Sequence, residues 1–100
     1  MPQARILRAT LQDLDEIWVY VARDNIRAAE NLVSSVEGAA NRLAQMPGIG
    51  RKRDELQPGL LSYPLGNYIL FYCRTSTGID LLHVYHGARN IEELFKHEHT

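Results

Sequence analysis

The sequence predicts an α+β fold in which an N-terminal strand and an antiparallel helix hairpin pack on a small, mainly antiparallel sheet. Three observations predict this class. Two consecutive segments carry apolar residues at helical spacing, a β-rich stretch with turn signals follows them, and a short apolar stripe near the C-terminus indicates one more helix. We expect residues 1–100 to form a single domain, because this length suits one core.

The composition is that of an ordinary globular protein. Apolar residues make up 45% of the chain, charged residues make up 23%, and the formal net charge is −1. A nucleic-acid-binding domain is usually strongly basic, so we expect no direct sequence-specific contact with nucleic acid. The sequence contains no apolar run of the length of a signal peptide or a bilayer span, and we therefore expect a cytoplasmic protein without membrane contact.

The N-terminal half predicts a strand and two helices. Residues 3–9 form a candidate strand, and Thr10 is the expected cap of a first helix over residues 10–23. A second amphipathic helix is expected over residues 26–46, and Pro47 ends it. Because the connection between the two helices is short, we expect them to pack as an antiparallel pair.

The C-terminal half predicts a three-strand meander. Its strands are expected over residues 60–65, 68–74 and 79–86. Gly66-Asn67 is a signal for a two-residue hairpin, and Pro64 predicts an edge position because proline has no N–H to donate. A short helix is then expected to begin at residue 91 and to fray from residue 96.

The turn at residues 75–78 sets the register of the last hairpin and so its two faces. This register pairs Arg74 with Ile79, Tyr72 with Leu81 and Leu70 with His83. The face expected to meet the helices as a dry core holds Ile69, Phe71, Cys73, Leu82 and Val84, with Asp80 at its end. The opposite face is the expected working surface, made of Tyr68, Leu70, Tyr72, Arg74, Leu81, His83 and Tyr85. A shift of the strand register by one residue would exchange the two sets. Alternatively, the tyrosines and His83 on the second face are ordinary half-exposed side chains without a function.

Three further groups of residues are candidate sites. The basic residues Arg51, Lys52 and Arg53 predict a solvated loop or a turn of helix, with a basic patch for phosphate or acidic protein as the alternative. The single cysteine is expected to be a small buried hydrophobe. His97 and His99 make an incomplete metal site, so we expect no metal and no cofactor.

Five segments in order resemble the ParE branch of the RelE/ParE toxin superfamily. They are Asp13-Leu14-x-x-Ile17-Trp18-x-Tyr20, Ala28-Ala29, Met46-Pro47-Gly48-Ile49-Gly50-Arg51, Tyr68-Ile69-Leu70-Phe71-Tyr72 and Val84-x-His86-Gly87-Ala88-Arg89. The resemblance spans nearly the whole chain. It implies a growth-inhibiting, plasmid-stabilising toxin of a type II toxin-antitoxin system, which inhibits DNA gyrase without cutting a bond and is neutralised by a ParD-like antitoxin.

The same superfamily contains RelE-like toxins that cut mRNA on the ribosome, which is the alternative activity. Candidates for that chemistry are Arg74, His83, Tyr85, His86 and Arg89, with Arg51 and Arg53 in the loop. The slightly negative net charge and a last helix without tyrosine favour the ParE interpretation. We therefore expect no catalytic residue. We assign target binding to Arg74, His83, Tyr85, His86 and Arg89. A degenerate, non-toxic protein that still binds antitoxin is a third interpretation.

Two positions depart from the pattern of the ParE branch. Asn90 stands where aspartate is more frequent, which removes a carboxylate partner for Arg89. Leu61 stands where arginine is common, which removes a cation from the surface. The alternative role for Arg89 is to cap the end of the sheet or the last helix.

Overall fold

The computed structural model describes residues 1–98, which form a five-stranded sheet with a helix hairpin on one face and a short helix on the other. The elements are β1 (Gln3–Ile6), α1 (Arg8–Ala22), α2 (Ile26–Gln45), a 3-10 turn (Pro47–Ile49), β2 (Arg51–Lys52), β3 (Leu60–Leu65), β4 (Tyr68–Thr75), β5 (Gly78–His86) and α3 (Ile91–Glu98). The strand order is β1-β5-β4-β3-β2, and only β1 pairs in parallel with its neighbour. The expected α+β class is confirmed.

The helix hairpin forms as expected, but its first helix begins differently. Asn25 caps α2, because its side-chain oxygen accepts the Ala28 N–H at 3.1 Å. Thr10 does not cap α1, which already begins at Arg8 and has no side-chain cap. The Thr10 hydroxyl instead donates to the Leu81 carbonyl at 2.6 Å. The expected cap was wrong because β5 runs close enough to take this hydroxyl.

The main core lies between the helix hairpin and one face of the sheet. The sheet contributes Leu61, Leu70, Tyr72, Ile79, Leu81 and Val84 to this core. Apart from Leu61, Ile79 and Val84, these residues belong to the set expected on the working surface. The assignment of the two faces was therefore wrong, because the helices cover the face that carries Leu70, Tyr72 and Leu81.

A second apolar cluster covers the far face, meaning the face of the sheet that is turned away from the helix hairpin. It is made of Leu60, Phe71, Tyr85 and Phe95, with Leu56, Ile69, Cys73, Leu82, Ile91 and Leu94 packed around them. Four members of the expected dry face thus do pack among apolar groups, namely Ile69, Phe71, Cys73 and Leu82. Their cover is α3 and the loop before β3, because the helix hairpin lies on the other side.

A bulge in the last hairpin explains where His83 and Tyr85 go. The expected pairs of Arg74 with Ile79 and Tyr72 with Leu81 are confirmed, but the register shifts between Phe71 and Tyr72. Leu82 becomes the extra residue, so Phe71 lies opposite His83 and Leu70 lies opposite Val84. The expected pairing of Leu70 with His83 was therefore wrong, and His83 and Tyr85 point to the far face.

The strands at the β2 side of the sheet and the last helix differ in part from expectation. Arg51 and Lys52 pair with β3 as a short antiparallel strand, so the expected loop or turn of helix was wrong there. β3 is therefore not the edge strand that Pro64 predicted, but β2 pairs only with Leu61 and Ser62 and leaves Pro64 without a neighbour on that side. α3 begins at Ile91 as expected and continues to Glu98, and fraying from residue 96 stays a prediction. Within residues 1–98, no helix has the length and apolar content to cross a membrane.

Side chains of α1 replace a strand along the end of β5. β1 pairs with β5 only from Gly78 to Leu81. Beyond that point the Leu7 N–H donates to the Leu81 carbonyl at 3.3 Å, alongside the Thr10 hydroxyl. The Asp13 carboxylate then accepts the Val84 N–H at 3.1 Å. Two backbone groups of β5, the Leu81 carbonyl and the Val84 N–H, thus find partners in α1 side chains one turn of helix apart, and α1 is held close to the end of β5.

Candidate functional site

A pocket of about 440 Å³ opens between α1 and the ends of β4 and β5. It is lined by Asp13, Glu16, Ile17, Tyr20, Tyr68, Val84, His86 and Arg89. The four residues from α1 recur at a spacing of three or four, so they lie on one side of the helix. The α1 wall carries two carboxylates, and the opposite wall carries an imidazole and a guanidinium.

The turn after β5 fixes the position of His86. The His86 Nδ1 atom accepts the Ala88 N–H at 3.0 Å, so Nε2 is the ring nitrogen that a bound group would meet. The ring of His86 also lies edge-on to the ring of Tyr68, with centroids 5.2 Å apart. The Gly87 N–H donates to the Asn67 carbonyl at 2.8 Å and ties this turn to the β3–β4 hairpin. An exposed imidazole is therefore held in a defined orientation at the rim of the pocket.

Arg89 supplies the cation at the same rim. Its guanidinium lies 5.5 Å from the centre of the Tyr85 ring, a distance typical of a cation–π contact. The Arg89 N–H donates to the His86 carbonyl at 3.1 Å, which closes the turn that joins the two residues. Since Arg89 is exposed, its guanidinium remains available to an anionic group of a partner.

His83 and Tyr85 lie below this rim and are buried. The side chain of His83 stacks on Tyr85 with ring centroids 4.7 Å apart and meets the edge of Phe95 at 5.8 Å. The Nδ1 atom of His83 lies 2.8 Å from Asp13 Oδ2, and because a carboxylate only accepts, Nδ1 carries the proton of this bond. The structure therefore contradicts the expectation that His83 and Tyr85 are exposed on a working surface.

Arg74 is separated from the pocket. It is exposed near the opposite end of β4 from Tyr68, about 20 Å away at the rise of a strand. Its guanidinium lies beside Gly48 in the 3-10 turn. Of the five residues expected to bind the target, only His86 and Arg89 therefore lie together on the surface of the pocket.

The turn beside Arg74 is fastened by a buried phenol. The Tyr72 hydroxyl donates to the Pro47 carbonyl at 2.8 Å and accepts the Gly50 N–H at 3.0 Å. A side chain at Gly50 would collide with this hydroxyl, so the turn requires glycine there. Burial raises the pKa of Tyr72, while the Gly50 N–H and Arg74 act in the opposite direction.

We expect Tyr72→Phe to lower the free energy of unfolding by about 1–3 kcal/mol at neutral pH, because two backbone groups lose their partner. Urea denaturation measures this change. Because folding raises the pKa of Tyr72, the neutral phenol contributes its full stability below pH 10, and this contribution is lost as pH rises through the folded pKa. The difference between the parent and Tyr72→Phe should therefore narrow above pH 10. Tyr20→Phe, at an exposed position, is the control. If Tyr72→Phe is as stable as Tyr20→Phe, the prediction is contradicted.

The expected basic patch is divided by the structure. Arg51 and Lys52 are exposed on β2. Arg53 instead donates from Nε to Glu55 at 2.9 Å, and its guanidinium lies 5.8 Å from the centre of the Phe71 ring. The hydrogen bond from Arg53 lowers the pKa of Glu55. Arg53 thus helps to cover the far face, and two cations remain for a patch.

The two positions that depart from the ParE pattern have structural roles here. Leu61 is buried in the main core, where a cation would need a partner. The Asn90 side chain accepts the Glu93 N–H at 3.2 Å and so caps α3. Among the side chains of residues 1–96, no three from His, Cys, Asp or Glu are grouped to hold a metal. The side chains of His97 and His99 lie outside the described residues.

The α1 wall of the pocket is not among the predicted sites. Asp13 and Tyr20 occur in a segment that resembles the ParE branch, and Glu16 lies in the same segment without a predicted role. A usable signal was present, because Asp13, Glu16 and Tyr20 recur at a spacing of three or four beside the apolar stripe of α1. Two carboxylates and a phenol in such a row can line a pocket at the edge of the core.

The fold is similar to that of two solved structures from toxin-antitoxin systems. It resembles a solved structure described as the chromosomal ParDE TA system from P. aeruginosa, with a TM-score of 0.71 and 21% identity over 86% of this chain and 96% of that chain. The toxin-antitoxin complex RelBE2 from Mycobacterium tuberculosis gives a TM-score of 0.59 and 23% identity, covering 86% of this chain and 99% of the other. At these identities the likeness defines the fold.

Sequence relatives define the family more narrowly. Residues 4–91 match the family model described as ParE toxin of type II toxin-antitoxin system, parDE. Toxin ParE1 of Mycobacterium tuberculosis is 35% identical over 81 residues, which cover 79% of this chain and 83% of the relative. Toxin ParE1 of Caulobacter vibrioides is 26% identical over 91 residues, or 90% and 94% of the two chains. The chain therefore belongs to the ParE toxin family, as its sequence resemblance indicated.

Proposed function

We propose that this ParE-type toxin inhibits DNA gyrase through the rim of the α1–β5 pocket and is neutralised by a cognate ParD-like antitoxin. The observation that carries the choice of surface is the pairing of exposed His86 and Arg89 on one turn beside the pocket. A cation and an imidazole with fixed backbones suit recognition of an acidic or polar surface with little loss of conformational entropy.

The spacing of the candidate residues supports an inhibitor that does not cut RNA. Cleavage of a phosphodiester needs a base, an acid and cations around one phosphate. Arg74 lies about 20 Å from the pocket. His83 is buried and bonded to Asp13, so it faces the protein interior. The RelE-like activity would require these groups to converge, and it is therefore the alternative outcome of the test below.

Exposed apolar residues and an open strand edge support an antitoxin partner. Leu11, Val19, Tyr20 and Ile26 on the helix hairpin are 51%, 52%, 71% and 58% exposed. β1 has a neighbour on one side only, so its outer edge can accept another strand. An amphipathic helix and an added strand are common modes of peptide capture, and both fit these features. The solved ParDE and RelBE2 relatives are toxin-antitoxin systems by description.

The deciding experiment is a supercoiling assay with purified gyrase, relaxed plasmid and ATP. The parent toxin should stop supercoiling and trap cleaved DNA. His86→Ala/Arg89→Ala should need at least about ten times more protein for the same effect, equivalent to the loss of one charge-assisted contact. Arg74→Ala is the matched control, because it removes an exposed arginine far from the pocket and should inhibit like the parent.

Two results would overturn the proposed function. If gyrase is unaffected while mRNA is cut on ribosomes in a translation extract, the protein is a RelE-like endonuclease. If neither activity appears but the antitoxin still binds, it is the degenerate antitoxin-binding protein. Equal inhibition by the parent and the double variant would keep gyrase as the target but reject the pocket rim as the contact surface.

A further inference from the structure

The outer side of α1 carries a row of residues spaced by four. The row runs Leu11, Asp15, Val19 and Arg23, and each of these residues is exposed. Residues four apart on a helix lie on one side, with an axial separation of about 6 Å. Arg23 still has helical backbone angles, with φ −57° and ψ −35°, so it continues this row at the end of α1. The row therefore presents Leu11 first and then an acid, an apolar side chain and a base in order.

This order of side chains is self-complementary about Val19. In an antiparallel pair of α1 helices related by a twofold axis through Val19, each Asp15 lies level with Arg23 of the second copy. The contact then contains two opposite-charge pairs with the two Val19 side chains between them. A parallel pair would instead place like charges together, so the row specifies one orientation. Neither Asp15 nor Arg23 forms an ion pair with another side chain of residues 1–96 of its own chain.

A groove beside the row adds apolar surface for the second copy. It has a volume of about 440 Å³ and is lined by Asp15, Glu16, Val19, Tyr20 and Arg23. Tyr20 stands 71% exposed at its border, and Val19 is 52% exposed. Large apolar side chains grouped at this exposure are typical of an interaction surface rather than of a solvated helix. The charges of Asp15 and Arg23, on either side of Val19, fix the position of the partner along the row.

We infer that the free toxin forms a homodimer through α1, with Asp15 of each copy paired to Arg23 of the other. One helix per copy buries less area than a stable interface of about 1,200–2,000 Å² requires, so the dimer should be weak. This inference does not depend on gyrase as the target. If the antitoxin covers Val19 and Tyr20 as proposed above, its binding and dimerisation exclude each other. The dimer would then protect the apolar row only while antitoxin is absent.

Sedimentation velocity over a range of protein concentrations tests the dimer. The parent should shift from monomer to dimer as concentration rises. Asp15→Arg and Arg23→Asp should each raise the dissociation constant at least tenfold, because each places like charges opposite each other twice. The combined Asp15→Arg/Arg23→Asp variant restores opposite charges and should recover most of the affinity. Arg27→Asp, an exposed change of the same kind outside the row, is the control.

Two outcomes would overturn this inference. One is a parent that stays monomeric at every concentration, and the other is a combined variant that is no tighter than either single reversal. Circular dichroism should give the same helix content for all variants, because the changed side chains are exposed. Added antitoxin should convert the dimer into a toxin-antitoxin complex. If no antitoxin binds, the proposed antitoxin partner is rejected, while the dimer is still tested by the charge reversals. A dimer that accepts antitoxin without dissociating would show that the antitoxin does not cover Val19 and Tyr20, and would reject that part of the proposed antitoxin surface.

Discussion

Gly78→Ala is expected to lower the free energy of unfolding by about 3 kcal/mol or more. Gly78 has a φ of +152° and lies opposite Gln3 at the start of the β1–β5 ladder. A Cβ atom at this position would collide with the Gln3 carbonyl oxygen and would lie 2.7 Å from the Gln3 nitrogen. Because these are backbone atoms, relief requires β1 to move away from β5. Urea denaturation measures the loss, and hydrogen exchange should report opening of the Gln3–Ile6 strand.

Gly59→Ala separates backbone strain from the collision. Gly59 also has a positive φ, +80°, but a Cβ atom there would meet nothing within 4 Å. This control should cost only about 1–2 kcal/mol, which is the penalty of the left-handed conformation. If the two variants lose equal stability, the close passage of β1 does not explain the glycine at position 78.

Asp13→Ala is the second large expected effect, with a loss of about 2–4 kcal/mol. The carboxylate serves two buried groups, because it accepts the Val84 N–H at 3.1 Å and lies 2.8 Å from the His83 ring nitrogen. Val84 is 1% exposed, so its N–H would lose its partner without gaining water. The end of β5 would also lose its hydrogen bonds to α1. The pocket rim would then be held less firmly, which should weaken the proposed inhibition of gyrase. Urea denaturation and the supercoiling assay measure the two consequences.

Asp13→Asn and Asp15→Ala complete this comparison. The amide keeps one acceptor oxygen for the Val84 N–H but loses the charge, so its stability should lie between those of the parent and Asp13→Ala. Asp15 is an exposed aspartate on the same helix, and its removal should change stability by no more than about 0.5 kcal/mol. A loss for Asp13→Ala as small as that for Asp15→Ala would mean that the bonds to β5 contribute little.

Apart from β2 and the 3-10 turn, the sequence was sufficient to predict the elements, because each of the others has a distinct local signal. The meander strands were expected at residues 60–65, 68–74 and 79–86, and they run Leu60–Leu65, Tyr68–Thr75 and Gly78–His86. Turn chemistry also gave the correct pairing next to the last hairpin turn. Neither the strand pattern nor the turn chemistry detects a bulge farther along the strand, because side chains alternate between the two faces on both sides of the bulge.

The faces of the sheet were exchanged for a different reason. Both faces carry apolar residues, since the helix hairpin covers one and α3 covers the other. Alternation then identifies which residues share a face but not which cover each face meets. Tyr72 also looked suited to a wet surface, although its ring lies in the main core and its hydroxyl reaches the Pro47 carbonyl. The pocket was missed because it joins α1 to β5, which lie far apart in sequence.

The pairing of the first strand with the last also constrains when the toxin can be completed during synthesis. Arg5 and Asp80 are 75 residues apart, and their side chains meet across the β1–β5 ladder at 2.7 Å. At about 5–20 residues per second, the ribosome adds that stretch over several seconds. During this interval β1 has already been made, but the strand that must receive it has not. The pocket rim, which follows β5, is made later still, so a nascent chain lacks the rim until Arg89 has been added.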